Sequence, residues 1–376
     1  MIINIEKSKS ITAFKKAIKE LENQDNIKSI LILSCEANNY TPKNTDVILK
    51  KIKKPIFGGI FPQIINGKNK MTQGSLFIGF EHNLKTLTVP VPDTQNERYD
   101  KLLEFSERII DSKTMFIFLD GFTKGITNFL DEIFNVIGLQ LNYFGGGAGS
   151  LEKLTSSPCL FSNYGLLQNK AMLVAFDGES SVGVKHGWNS ISTPVQITES
   201  FDNTIKAIDW RPAFDVYKEI VEEHSGQKIN VNNFFDKAKA YPFGISKHNN
   251  EMVVRDPIIT NANNEIVCVG EVPQNSIVNI LNGNNSSLIG AAEEACDEAK
   301  KMFNDKIEQK CLFVIDCISR VLFLEDDFQK ELMAMYSDDY PLFGIISIGE
   351  IANNGDNFLE FYNKTIVAAF IECKQE

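Results

Sequence analysis

The chain has 376 residues, 43% of them hydrophobic and 23% charged, with a formal net charge of −11. That length suits two or three domains with sizeable cores, and the acidic balance argues against a nucleic-acid partner, which needs concentrated positive charge to displace counterions from phosphate. No apolar run reaches the roughly 20 residues that span a bilayer, Met1 to Ser10 lacks the apolar centre of a signal peptide, and the seven cysteines are scattered without a Cys-x-x-Cys pair. Reduced thiols in a cytoplasm are therefore expected, and neither a membrane nor a zinc site is.

Taken in chain order, apolar periodicity predicts one unit several times over. Ile11, Phe14, Ala17, Ile18 and Leu21 fall at helical spacing behind Ser10, a natural N-cap. A buried strand follows over Ile30 to Leu33, then a helix over Thr45 to Lys53, then Pro55-Ile56-Phe57-Gly58-Gly59, then a strand over Ser75 to Phe80. The basic run Lys50, Lys51, Lys53, Lys54 reads as a solvated helix end, where cations complement the helix dipole.

The second unit repeats that order. A helix over Asn96 to Asp111 precedes a strand over Met115 to Leu119, and a helix over Ile126 to Ile137 stops at Gly138. Tyr143-Phe144-Gly145-Gly146 and a strand over Met172 to Phe176 complete it. A later unit has a helix over Ile289 to Phe303, a strand over Leu312 to Asp316 and a helix over Asp327 to Tyr336. It closes with Pro341-Leu342-Phe343-Gly344 and a strand over Thr365 to Phe370. Between them, Tyr241-Pro242-Phe243-Gly244 reads as a degenerate copy, with a helix over Pro212 to Val221 before it and a hairpin strand over Ile266 to Gly270 after it.

Each first strand precedes its Phe-Gly element by about thirty residues, the length of a right-handed crossover through one helix. The phenylalanine plugs the core, and the glycine permits a positive φ or a close backbone approach. The expected fold is α/β: repeated strand-helix-strand units forming mixed sheets flanked by helices, in two related halves. The division falls near Ile205, giving residues 1–205 and 206–376, because the capped helix at Pro212 begins a new run after the strand Val195 to Thr198.

Gly145-Gly146-Gly147-Ala148-Gly149-Ser150 lacks the lysine of a phosphate loop and a good following helix, so it reads as a turn of the repeat; an anion cradle is the alternative. The four histidines, His82, His186, His224 and His248, have no metal-ligating partner at i+3 or i+4. His224 ends a helix and His248 lies in a polar loop. His186, in Val184-Lys185-His186-Gly187-Trp188, is either a structural residue or a contact to ligand or haem. Cys317 ends an apolar strand, where a buried thiol is usually inert, so a cysteine-dependent hydrolase is the least favoured reading.

Unexplained polar groups concentrate in the last unit: Cys317-Ile318-Ser319-Arg320, Ser347-Ile348-Gly349-Glu350 and Tyr362-Asn363-Lys364-Thr365. If their strands are neighbours, these loops converge at one sheet end, where open α/β sheets carry their sites. Arg320 would then grip a carboxylate, Glu350 an ammonium group, and Asn363 and Thr365 the remaining polar atoms. That set suits a small zwitterion or hydroxy acid; the alternative is a buried structural pair between Arg320 and Glu350.

These segments also carry a resemblance. The run from Cys317 to Arg320, the Phe343-Gly344 element with Gly349-Glu350-Ile351, and Asn363-Lys364-Thr365 resemble the C-terminal FIST domain, whose opening is similar to Asp209-Trp210-Arg211-Pro212-Ala213-Phe214-Asp215-Val216-Tyr217. Phe57-Gly58-Gly59 and Phe144-Gly145-Gly146 resemble the N-terminal FIST domain. The resemblance implies an intracellular sensory module rather than an enzyme. Its ligand would be an amino acid or small organic acid, bound by Arg320, Glu350, Asn363, Thr365, Cys317, Ser319 and Gly349. No cofactor is expected on this reading, and output passes to a separate signalling protein such as a kinase or cyclase. The alternative it implies is a haem-binding nitric-oxide sensor, for which His186 is the candidate haem ligand. Tyr362, where other members often carry His, and Trp210, where Gly is common, depart from the family pattern.

Overall fold

A computed structural model of the chain describes residues 1–92, 97–247, 252–353 and 358–373; His248 lies outside them. Three six-stranded sheets share one plan. In the first, Ser29–Cys35 lies between a parallel neighbour, Ile56–Phe61, and an antiparallel one, Ser75–Phe80. In the second, Thr114–Asp120 holds the same place between Asn142–Ala148 and Lys170–Phe176. In the third, Lys310–Cys317 does so between Leu342–Ser347 and Ile366–Glu372. These are the three units read from the sequence, and the mixed α/β fold is borne out. Ile2–Glu6, Lys85–Pro90 and Ser180–Lys185 flank the three closing strands.

The local signals act as expected. The Ser10 hydroxyl accepts the Ala13 N–H at the start of helix Ile11–Glu22, and Gly138, at φ 86, ends helix Ile126–Ile137. Helix Asn285–Met302 begins earlier than its apolar periodicity indicates, because Asn284 and Ser287 cap it reciprocally. Phe57, Phe144 and Phe343 are wholly buried. A Cβ on Gly58, Gly145 or Gly344 would stand 2.1, 1.8 or 2.0 Å from the carbonyl oxygen of Ile32, Ile117 or Val314 on the parallel neighbour. Glycine is what lets each parallel pair close.

The inner faces of the three sheets meet in an aromatic core. Phe116 packs on Phe57 and Phe80 of the first sheet and on Phe313 of the third, with ring centroids 5.7, 6.1 and 5.6 Å away. Helices cover the outer faces, Ile126–Ile137 on the second sheet and Asn285–Met302 with Phe328–Met335 on the third.

The periodicity did not reveal how the sheets are joined. After each Phe-Gly strand the chain makes a hairpin that extends another unit's sheet. Gln63–Asn66 with Asn69–Met71 pairs Leu342–Ser347 of the third sheet. Leu160–Ser162 with Gly165–Leu167 pairs Ile56–Phe61 of the first. Glu350–Asn353 with Leu359–Tyr362 pairs Asn142–Ala148 of the second. The exchange is cyclic and gives the body a pseudo-threefold arrangement. The third sheet consequently draws strands from both sides of Ile205.

A separate antiparallel sheet is inserted between the second and third units. Ile277–Asn282 pairs with both Val195–Phe201 and Phe243–Ser246. The path through Thr204–Ile208, Ile266–Val269 and Met252–Thr260 therefore closes into a six-stranded barrel. Helix Ala213–Ser225 packs Phe214, Tyr217 and Val221 against its apolar side. The Phe243-Gly244 element belongs here and is not a copy of the unit: both its neighbours are antiparallel. A Phe-Gly pair marks the unit only when a parallel strand runs beside it.

The central rings make a test of this architecture. Phe116→Ala should cost about 3–5 kcal/mol, since it opens a cavity where three sheets meet. Chemical denaturation measures it; a cost under about 1 kcal/mol would mean the sheets are not held through this core.

Candidate functional site

Where Ser180–Lys185 leaves the third sheet, the chain turns at Gly187, whose φ is +77 and whose Cβ would collide with the Ser287 carbonyl oxygen at 2.6 Å. A cleft of about 590 Å³ opens beside this turn. One wall is Lys185 to Asn189, the second is the first turns of helix Asn285–Met302, with Ser286, Gly290 and Glu294, and the third is Tyr362 with Thr365. Met252 of the barrel closes an edge. Such a volume suits a small organic molecule.

His186 supplies the cleft's distinctive donor. Its Nδ1 accepts the Trp188 backbone N–H at 3.0 Å, so the ring proton of the neutral imidazole sits on Nε2. Burial first, then the nearby Arg320 and Lys185 cations, hold its pKa down to about 4. The ring is therefore neutral near pH 7 and offers an N–H. An iron ligand needs the reverse arrangement, a lone pair on one nitrogen while the other donates to an acceptor. His186 does not fit the expected role of haem ligand.

Trp188 is pinned beside it. Its indole N–H donates to the Lys364 carbonyl at 3.0 Å, and the Lys364 ammonium lies 5.1 Å from its ring centroid. That ammonium is also held by Asp256 Oδ1 at 3.1 Å and by the Lys239 carbonyl at 2.8 Å.

Behind the cleft stands Arg320, wholly buried. Nη1 donates to the His186 carbonyl at 2.8 Å and Nη2 to the Leu288 carbonyl at 3.0 Å, so one guanidinium ties two walls together. Glu331 takes Nη2 at 2.8 Å, and Asp316 lies 3.1 Å from Nε. Burial, then the neighbouring Glu331 carboxylate, pushes the Asp316 carboxyl well above the usual carboxylate range. The expectation that Arg320 grips a ligand carboxylate is corrected: the side chain is wholly buried behind the cleft and does not line it, and its guanidinium is held by the His186 and Leu288 carbonyls and by Glu331. The alternative Arg320–Glu350 pair does not form either; the acids paired with Arg320 are Asp316 and Glu331.

Glu350 sits one layer behind Thr365. Ser347 Oγ donates to Oε1 at 2.7 Å and the Thr365 N–H to Oε2 at 3.3 Å. Burial raises its pKa to about 8 against these hydrogen bonds. Cys317 lies beside it, its thiol pushed well up by burial and then by Glu350, the opposite of an activated nucleophile.

The remaining expected site residues divide between two places. Thr365 lines the cleft with its N–H on Glu350 and its hydroxyl on the Asn363 carbonyl at 2.8 Å. Gly349 is a hairpin turn at φ +91, packed under Phe361. Ser319 Oγ donates to Asp256 Oδ2 at 2.5 Å, and Asn363 is buried on the barrel side. His224 ends a helix at the surface as expected, 3.1 Å from the Tyr241 hydroxyl. Among the described residues, no three His, Cys, Asp or Glu side chains stand together as metal ligands. Sequence reasoning missed Ser286, Gly290 and Glu294. The one available signal was Gly290, a lone glycine inside a helical pattern.

The cleft thus stands on a buried, hydrogen-bonded frame. The chain belongs to the FIST family: the FIST N domain matches residues 31–211 and the FIST C domain residues 213–353. This is a sensory family implicated in small-ligand binding and signalling, and is not one known for catalysis. A search of curated proteins found no match. No helix of the described residues is long and apolar enough to cross a membrane.

Glu350 makes the frame pH-sensitive. The native state keeps a proton that the unfolded chain releases, so Glu350 is without cost below the ordinary carboxylate range and lowers stability as pH rises through about 8. Between about pH 5 and pH 8, the melting temperature of the wild type should fall more steeply than that of Glu350→Gln. Parallel curves would contradict the buried, protonated carboxyl.

Proposed function

We propose that this FIST protein is a cytoplasmic sensor whose ligand, an amino acid or small organic acid, binds in the cleft between His186, Gly290 and Thr365. The occupied state is read by a separate signalling protein such as a kinase or cyclase. The observation that carries the reading is Gly290. It lies inside helix Asn285–Met302, lines the cleft, and a Cβ added to it meets nothing within 4 Å among the described residues. A helix-interior glycine costs about 1 kcal/mol relative to alanine, and no protein contact here demands one. An occupant that needs the space accounts for it.

The polar groups fit such an occupant. The His186 N–H and the Ser286 hydroxyl suit a carboxylate or hydroxyl oxygen, and Glu294, exposed at the rim, suits an ammonium group. Lys185 is paired with Glu298 at 2.7 Å. The ligand would touch Met252 of the barrel together with Tyr362 and Thr365 of the three-sheet body, so occupancy biases how the two are held. The reading requires no cofactor.

A thermal-shift screen against the amino acids and small organic acids tests it, since a ligand of the native state raises the melting temperature by mass action. A shift in the wild type, abolished in Gly290→Leu without loss of ligand-free stability, is expected. A shift that survives Gly290→Leu would place the site elsewhere, and a chain indifferent to every compound would defeat the small-acid reading.

A further inference from the structure

Arg255, on the barrel strand Met252–Thr260, is 3% exposed. Nε donates to the Glu271 carbonyl at 2.8 Å, and Nη1 to the carbonyls of Val254 and Phe361 at 3.1 and 3.0 Å. Nη2 has no acceptor, and the guanidinium has no ion-pair partner, among the described residues. Glu360 is paired with Lys247, and Asp256 with Lys364. Glu360 and Glu271 are the nearby acids that favour its charge, but neither forms an ion pair with it among the described residues, and a buried cation without a direct partner is costly.

A second orphan stands beside it. Asn363 is 1% exposed, and among the described residues neither Oδ1 nor Nδ2 of its amide has a hydrogen-bond partner. Unpaired buried amides are rare in folded proteins. The two side chains converge on Gly270: a Cβ there would be 3.1 Å from Arg255 Nε and 3.1 Å from Asn363 Oδ1. Gly270 has φ +79, so a larger residue is disfavoured both by conformation and by these neighbours.

We infer that Arg255 and Asn363 bind a small monoanion of chloride or formate size at the junction of the barrel and the three-sheet body. The anion neutralises the guanidinium through Nη2 and takes the amide N–H of Asn363, whose side chain turns its Nδ2 toward it. Neither Arg255 nor Asn363 lines the cleft, so this site is distinct from it. Arg255 belongs to the barrel, while Phe361 and Asn363 belong to the body, so the anion fastens one to the other behind Tyr362.

The test compares melting temperatures of the full chain in sodium chloride, sodium formate and sodium gluconate at matched ionic strength. Chloride or formate should stabilise the wild type beyond gluconate, with a shift that grows as the logarithm of anion concentration above saturation. Asn363→Ala, which removes a side chain without a protein partner, should fold and lose that difference, as should Arg255→Met. Crystals grown in bromide should show an anomalous peak between Arg255 and Asn363. Equal behaviour in all three salts, or an anion preference retained in Asn363→Ala, would overturn the inference. Neither result depends on whether the cleft binds an acid.

Discussion

The first strands of the three units are apolar on both faces, and everything else in the molecule answers to that. Ser29–Cys35, Thr114–Asp120 and nearly all of Lys310–Cys317 are buried from end to end. A strand of this kind needs cover on both sides. Helices supply the outer cover, and the other sheets, through Phe57, Phe116 and Phe313, supply the inner one. Closing the sheets leaves the Phe-Gly strands with unpaired edges, and a neighbour's hairpin occupies each. No unit of the three is therefore complete by itself, because each sheet borrows strands from distant sequence.

That interlocking is what assembles the cleft. His186 follows a strand contributed by the first half of the chain, Thr365 precedes the last strand, and their strands are antiparallel neighbours, with Lys185 opposite Ile366. Arg320 then fixes the helix wall to the His186 wall. A buried ion pair is weak evidence for net stability, since desolvation opposes the Coulombic gain. Its contribution here is geometric: two carbonyls from distant segments are held by one planar guanidinium. The guanidinium stands between two acids, Asp316 and Glu331, in the same space.

Much of the fold was legible because its signals are local. Ser10, Gly138 and the three Phe-Gly elements each act through neighbours in sequence or through one parallel strand. The hairpin exchange was not legible, since nothing in Gln63 to Met71 states which edge it will meet. The Phe243-Gly244 element misled for the same reason: the dipeptide is shared, but its antiparallel surroundings are a tertiary fact. For the site, the residues were partly identified and their roles were redistributed. His186 and Thr365 do line a cleft. Arg320 and Glu350 looked like ligand contacts because they are polar residues near strand ends, yet burial turns one into a clamp and the other into a protonated support. Arg255 carried no sequence signal at all, being one charged residue in a strand.

The polar side of the cleft depends on His186 presenting a neutral N–H. Nitrogen-15 NMR of the histidine side chains, titrated from acid to neutral pH, measures this directly. The account predicts one ring in the Nε2–H form that stays neutral down to about pH 4 and loses that signature in His186→Gln. A His186 ring protonated on Nδ1, or one that titrates near the ordinary 6.5, would contradict it.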